Sequence, residues 1–164
     1  MTELGIAGYS GSGKTTLVTR LIPELIGRGL AVSTVKHTHH AVALDRRGDI
    51  SRRLQRLGAR EVLLADAQRW TLLHELRGQP EPSVTQLAAR MTPVDLLIVE
   101  GFKRHAHRKI EVHRPALGKP MLWPDDPQVM AVASDEEIAD LPLPRLDLDD
   151  VPAIADFICA RYGL

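Results

Sequence analysis

Short apolar runs and amphipathic stretches alternate along the chain. The most apolar stretches lie at residues 4–7, 94–99 and 129–133, and Asp95 is the one charged residue within them. Such runs predict strands that are buried on both faces of a sheet, and residues 30–35 and 109–113 predict two further strands. The helical patterns lie at residues 14–28, 83–91 and 149–162. Because strands and helices alternate, the pattern predicts an α/β fold with a mainly parallel sheet flanked by helices.

The middle of the chain breaks this alternation. Residues 61–65 and 70–76 are two apolar segments with a short polar joint, which predicts neighbouring strands and a possible antiparallel hairpin extension near residues 60–76. Before them, Asp49 or Ser51 is positioned to cap a short helix. The length of 164 residues predicts a single domain over residues 1–164.

Composition narrows the class of protein. The 21 basic and 21 acidic residues cancel, so the chain has no bulk attraction to nucleic acid or to an anionic membrane, and we expect neither as a partner. No run approaches the roughly 18 apolar residues of a membrane span. The single cysteine, Cys159, excludes an internal disulfide and a multi-cysteine zinc site. The absence of a secretory pattern at the start predicts a cytoplasmic protein.

A phosphate-binding pattern, G-x-x-x-x-G-K-[ST], directly follows the first strand and opens the first helix. Its glycines let successive backbone N–H groups point at phosphate oxygens, and the helix adds its positive end. In such loops the lysine, Lys14, reaches the β- and γ-phosphates and the hydroxyl of Thr15 binds Mg²⁺. The predicted phosphate-binding residues are Gly8, Tyr9, Ser10, Gly11, Ser12, Gly13, Lys14, Thr15 and Thr16.

Two carboxylates flank the apolar run at residues 96–99. Asp95 and Glu100 are separated by roughly 16 Å of strand, so they cannot serve one metal ion. Ligands in open α/β sheets bind beyond the carboxyl ends of the strands, which selects Glu100 for the Mg²⁺ site. Asp45 and Asp49 follow the second strand, so either could supply a second acid or orient water; Asp49 could instead cap a helix.

Other polar residues leave the function open. His37, His39 and His40 could form a metal site or, with Lys36, face a phosphate-bearing partner. Residues 103–109 are locally basic and form either a docking surface for an anionic ligand or a solvated loop. Asp135 could approach the base of a nucleotide. The chain contains no Asn, so it lacks the Asn-Lys-x-Asp guanine reader, and these residues leave GTP and ATP both open.

The ordered set of motifs resembles the molybdopterin-guanine dinucleotide biosynthesis adaptor (MobB) family of P-loop NTPases. The motifs that carry the resemblance are the phosphate loop, Lys36-His37-Thr38-His39-His40, Gly48-Asp49, Gln68-Arg69-Trp70, Glu100-Gly101-Phe102-Lys103 and Ala131-Val132-Ala133-Ser134-Asp135. The resemblance implies binding of GTP with Mg²⁺, slow GTP hydrolysis and a homodimer. It also implies partnership with the guanylyltransferase (MobA) that joins GMP to molybdopterin.

The resemblance also suggests residue roles. Lys14, Asp49 and Glu100 become the candidate catalytic residues, with Thr15, Glu100 and Asp49 near Mg²⁺. The basic stretch at residues 103–109 is a candidate contact for molybdopterin. The leading hypothesis is therefore a GTP-binding adaptor. A metal-delivery NTPase that uses the histidines and a small-molecule kinase are the alternatives.

Overall fold

A computed structural model describes residues 1–38, 50–102 and 107–164. The chain forms two compact units, one made of residues 1–37 and 83–164 and the other of residues 38–82. The prediction of a single nucleotide-binding domain over residues 1–164 stays a prediction. No helix in the described part of the chain is long and apolar enough to cross a membrane.

The first unit is built on a six-stranded sheet in which every pair of neighbouring strands is parallel. The strands are β1 (Thr2–Ala7), β2 (Val32–Lys36), β5 (Leu96–Glu100), β6 (Lys109–His113), β7 (Val129–Ser134) and β8 (Arg145–Asp147). Their order across the sheet is β2-β5-β1-β6-β7-β8. The predicted α/β fold with a mainly parallel sheet is confirmed. The three-residue edge strand β8 was missed, because so short a segment has no readable alternation.

Apolar side chains cover both faces of this sheet. Strand β5 shows why its sequence is apolar throughout: Leu96 and Ile98 join one core cluster, whereas Leu97 and Val99 join another on the opposite face. The larger cluster includes buried leucines of helix α1 (Lys14–Gly27) and isoleucines of helix α4 (Val151–Tyr162). The sheet is therefore packed on both faces, and this packing fixes the positions of the strand ends.

The helix ends follow the capping residues in the sequence. Helix α3 (Val84–Ala88) begins after Ser83, whose hydroxyl accepts a hydrogen bond from the backbone N–H of Gln86, and the Gln86 side chain accepts the Ser83 N–H in return. The carboxylate of Asp150 caps α4 by accepting a hydrogen bond from the Ala153 N–H at 3.0 Å.

The second unit contains a short helix and a hairpin. Helix α2 (Ile50–Arg56) precedes strands β3 (Glu61–Ala65) and β4 (Trp70–His74), which pair antiparallel in a sheet of their own. The joint is a turn in which the Asp66 carboxylate accepts the backbone N–H groups of Gln68 and Arg69. These two hydrogen bonds lower the pKa of Asp66. The predicted hairpin near residues 60–76 is confirmed.

Strand β6 carries charged side chains into the core. Lys109 is 1% exposed, and its ammonium pairs with the Asp126 carboxylate at 2.7 Å. Glu111 is fully buried and accepts the backbone N–H groups of Leu122 and Trp123 at 2.7 and 3.0 Å. The irregular segment after β6 is thereby fastened to the sheet. A solvated loop over residues 103–109 is wrong for His107 and Lys109, which are buried, while residues 103–106 lie outside the described residues.

We expect stability to depend on the protonation of Glu111. Burial raises the pKa of this carboxyl, so above the ordinary carboxyl range the folded state binds more protons than the unfolded chain. The free energy of unfolding should therefore fall, relative to Glu111→Gln, as the pH rises from about 4 to about 7, by about 1.4 kcal/mol for each unit of raised pKa. Urea unfolding of both proteins across this range measures the difference. A wild type that gains stability over the variant as the pH rises would contradict the prediction.

Candidate nucleotide site

The loop between β1 and α1, residues 8–13, has the backbone conformation of a phosphate-binding loop and is called the phosphate cradle below. Gly8, Gly11 and Gly13 all have positive φ angles, of 144°, 82° and 99°, which side-chain-bearing residues rarely adopt. Gly13 is the N-cap residue of α1 and offers no side-chain cap to the first turn. The N–H groups of that turn and the positive end of the helix are therefore the groups that an anion would meet.

Lys14 lies over this loop. Its ammonium donates a hydrogen bond to the backbone carbonyl of Tyr9 at 2.7 Å, which holds the side chain along the cradle. The residues on either side, Ser10 and Gly11 before it and Thr15 and Thr16 after it, are exposed. The structure thus brings the predicted phosphate-binding residues together at one loop that solvent can reach.

Strand register places a carboxylate beside this loop. Ile6 of β1 and Lys36 of β2 are both partners of Glu100 of β5, so the carboxyl ends of the three strands are level. The Thr15 hydroxyl donates a hydrogen bond to Glu100 Oε1 at 2.6 Å. The Lys36 ammonium donates to Thr15 Oγ1 at 2.9 Å and lies 3.0 Å from Glu100 Oε1. Lys36 is a member of this cluster that sequence reasoning did not assign to it.

The other acids considered in the sequence have two different outcomes. Asp95 lies before β5, at the opposite end of the strand, where its carboxylate accepts the backbone N–H of Ala31 at 2.8 Å. Asp45 and Asp49 lie outside the described residues. Their predicted roles, including the catalytic and metal-binding role of Asp49, stay predictions.

A second ion pair supports the cradle from the side of β6. Arg114 follows β6 and donates from Nε to the Ser12 carbonyl of the phosphate loop at 3.1 Å. Its guanidinium also pairs with Asp135, which follows β7. Asp135 Oδ1 is buried and has no hydrogen-bond partner in the part of the chain that the structure describes. Sequence reasoning singled out Asp135 but missed Arg114, because the contact depends on the order of the strands.

The histidines were considered as ligands of a metal site. His37 stacks at a tilt on Phe102, with ring centroids 4.7 Å apart, and its backbone N–H donates to the Glu100 carbonyl. His39 and His40 lie outside the described residues. Over residues 1–38, 50–102 and 107–164 there is no group of three or more His, Cys, Asp or Glu side chains that could hold a metal ion. The described histidines thus add no support to a metal-delivery function.

Comparisons with known proteins identify the family of the chain. The family model of molybdopterin guanine dinucleotide synthesis protein B matches residues 3–135. The molybdopterin-guanine dinucleotide biosynthesis adapter protein of Haemophilus influenzae is 44% identical over 94% of this chain and 86% of its own length. The protein of that name from Escherichia coli is 40% identical over 94% of this chain and 90% of its own.

Solved structures show the same likeness. A crystal structure of molybdopterin-guanine biosynthesis protein B has a TM-score of 0.76 and 29% sequence identity, and the alignment covers 97% of this chain and 99% of that one. The fold and the sequence identity along nearly the whole length agree. The resemblance seen in the sequence is confirmed, and the chain belongs to the MobB family.

Proposed function

We propose that the chain is a GTP-binding adapter in molybdenum cofactor biosynthesis. It would assist the guanylyltransferase (MobA) that converts Mo-molybdopterin to molybdopterin-guanine dinucleotide, and it would hydrolyse GTP slowly. Relatives at 44% and 40% identity carry the name of biosynthesis adapter proteins, which supports the pathway. The candidate contact for molybdopterin, residues 103–109, falls partly outside the described residues and stays a prediction. A cytoplasmic location stays a prediction as well.

The contact between Thr15 and Glu100 carries the proposal of a triphosphate site with Mg²⁺. A hydroxyl and a carboxylate are hard oxygen donors of the kind that Mg²⁺ prefers, and here they stand beside a phosphate cradle. Thr15 and Glu100 would hold the metal, with Asp49 as a further candidate, and the metal would neutralise phosphate charge. Lys14 would contact the phosphates from the other side. The cradle and its lysine favour a nucleoside triphosphate over an uncharged ligand.

Asp135 is the candidate residue for discriminating guanine from adenine. The N1–H and N2–H₂ groups of guanine are donors, whereas adenine presents a donor only at N6. The two oxygens of a carboxylate can accept these adjacent donors, and Asp135 Oδ1 accepts no hydrogen bond within the described ranges. The ion pair with Arg114 would hold the other oxygen in place.

Two measurements test the proposed function. Calorimetric titration of GTP and ATP, each with Mg²⁺, should show preferential binding of GTP. Co-purification with the guanylyltransferase should show association of the two proteins. A preference for ATP, or the failure of both GTP binding and association, would contradict the proposal.

We further propose a homodimer that forms through the hairpin of β3 and β4. An isolated two-stranded hairpin is marginally stable in water, and this one exposes apolar side chains. Trp70 is 63% exposed and Leu63 is 59% exposed, and among the described residues β3 and β4 pair only with each other, which leaves their outer edges unpaired. A second copy of the chain would offer the same apolar surface under two-fold symmetry.

The dimer can be tested by light scattering. The wild type should have the mass of two chains, and Trp70→Glu should have the mass of one, because a buried charge opposes the interface. Leu164→Glu is the matched control, since Leu164 is an exposed apolar residue far along the chain from the hairpin. A wild type with the mass of one chain, or a Trp70→Glu protein with the mass of two, would contradict the prediction.

A further inference from the structure

The Lys36 ammonium stands against the two oxygen atoms that the proposed function assigns to Mg²⁺. Its Nζ atom is 2.9 Å from Thr15 Oγ1 and 3.0 Å from Glu100 Oε1, and these two oxygens are 2.6 Å apart. The hydroxyl donates its proton to the carboxylate, so its lone pair faces the ammonium. A divalent cation that binds Thr15 needs this same lone pair.

The strand register, and not a chance side-chain conformation, places Lys36 beside Glu100. Lys36 and Glu100 are register partners at the last paired position of β2 and β5. The next residue continues the ladder, because the His37 N–H donates to the Glu100 carbonyl at 2.8 Å. Parallel register partners project to the same side of the sheet, so the lysine and the glutamate face each other wherever this register holds.

The two side chains of the Lys36–Glu100 ion pair differ in burial. The Glu100 side chain is 10% exposed, and a buried carboxylate requires a positive partner. The Lys36 side chain is 51% exposed and has a flexible stem, so it can leave the pair for solvent or for a phosphate group. An ammonium and a divalent cation cannot share the two oxygens, because their charges repel at this separation.

We propose that Lys36 competes with the divalent cation for Thr15 and Glu100. The inference rests on the proposed placement of Mg²⁺ at these residues. The metal alone then binds poorly, since it must displace a resident positive charge. A triphosphate changes the balance, because its oxygens add ligands for the metal and offer the displaced ammonium a new negative partner. The metal therefore enters together with the nucleotide.

The test uses Mn²⁺ alone as the probe, on the full chain without nucleotide. Electron paramagnetic resonance of free Mn²⁺ gives the affinity of the wild type and of Lys36→Met. We expect the variant to bind Mn²⁺ about tenfold more tightly, because the carboxylate loses its competing cation. Lys119→Met, which removes an exposed lysine elsewhere, should bind as the wild type does.

A double variant assigns the gain to this cluster. In Lys36→Met combined with Glu100→Gln, a neutral amide replaces the carboxylate and the gain in Mn²⁺ affinity should disappear. A folded Lys36→Met protein with unchanged affinity would overturn the inference, and so would a gain that survives in the double variant. Circular dichroism and thermal melting verify folding of each protein.

Titration of the wild type with Mg²⁺ and GTP separates the two proposals. Binding of GTP with Mg²⁺, together with no Mn²⁺ gain in Lys36→Met, would retain the proposed nucleotide site and reject the role of Lys36. No GTP binding, together with a Mn²⁺ gain that requires Glu100, would reject the proposed function and retain the competition.

Discussion

Replacement of Lys14 by alanine should lower the affinity for GTP with Mg²⁺ by about 100- to 1000-fold. The ammonium lies over the phosphate cradle, where it donates to the Tyr9 carbonyl at 2.7 Å. In the complex it would exchange this neutral acceptor for phosphate oxygens. Two hydrogen bonds to charged groups are worth about 3–4 kcal/mol together, which corresponds to that loss of affinity. Calorimetric titration of both proteins measures it.

The fold should survive this substitution. The hydrogen bond to Tyr9 contributes about 0.5–1.5 kcal/mol, so the urea midpoint should fall only slightly. Lys119→Ala is the matched control for loss of a lysine and should bind GTP as the wild type does. Unchanged affinity in Lys14→Ala would show that triphosphate binds elsewhere. A collapse in its stability would show that Lys14 is needed for folding.

The local sequence was sufficient to predict the parts of the site whose position depends only on strand direction. The phosphate-loop pattern predicted a strand, a turn and a helix, and all three are present around Gly8 and Lys14. The choice of Glu100 over Asp95 needed only the rule that ligands bind at the carboxyl ends of parallel strands. The structure places Glu100 against Thr15 and Asp95 at the other end of β5. The metal-binding role of Glu100 stays a prediction.

Contacts that depend on strand order could not be predicted from the same patterns. Lys36 meets Glu100 because β2 and β5 are neighbours, although 64 positions separate the two residues in the sequence. Arg114 reaches Ser12 and Asp135 because β6 lies between β1 and β7. One sequence without this order does not say which strand ends will meet.

The burial of the charged residues on β6 could not be predicted from the sequence pattern either. Lys109 and Glu111 alternate with apolar residues on β6, which is typical of a strand with one solvated face. Both are buried, because Asp126 and two backbone N–H groups replace water as their partners. The partners come from the irregular segment after β6, whose course the sequence does not predict.

Replacement of Gly8 by alanine should damage both the fold and the site. The φ angle of 144° is one that L residues rarely adopt, and a Cβ atom there would lie 2.7 Å from Ser12 Oγ. It would lie even closer to the backbone carbonyl oxygen of Val112, which is part of β6 and cannot rotate away. We expect a loss of about 2–5 kcal/mol in the free energy of unfolding, from conformational strain and overpacking together. Urea unfolding measures the loss.

The matched control separates strain from collision. Gly29 has a φ angle of 89° and nothing within 4 Å of a Cβ atom, so Gly29→Ala should cost only about 1–2 kcal/mol and leave GTP binding unchanged. Gly8→Ala should cost more, and the protein that does fold should bind GTP poorly, because the loop must shift away from β6. Equal stability and equal GTP affinity in the two variants would contradict the collision with Val112. A Gly8→Ala protein that is destabilised but binds GTP normally would show that the cradle tolerates movement of its first residue.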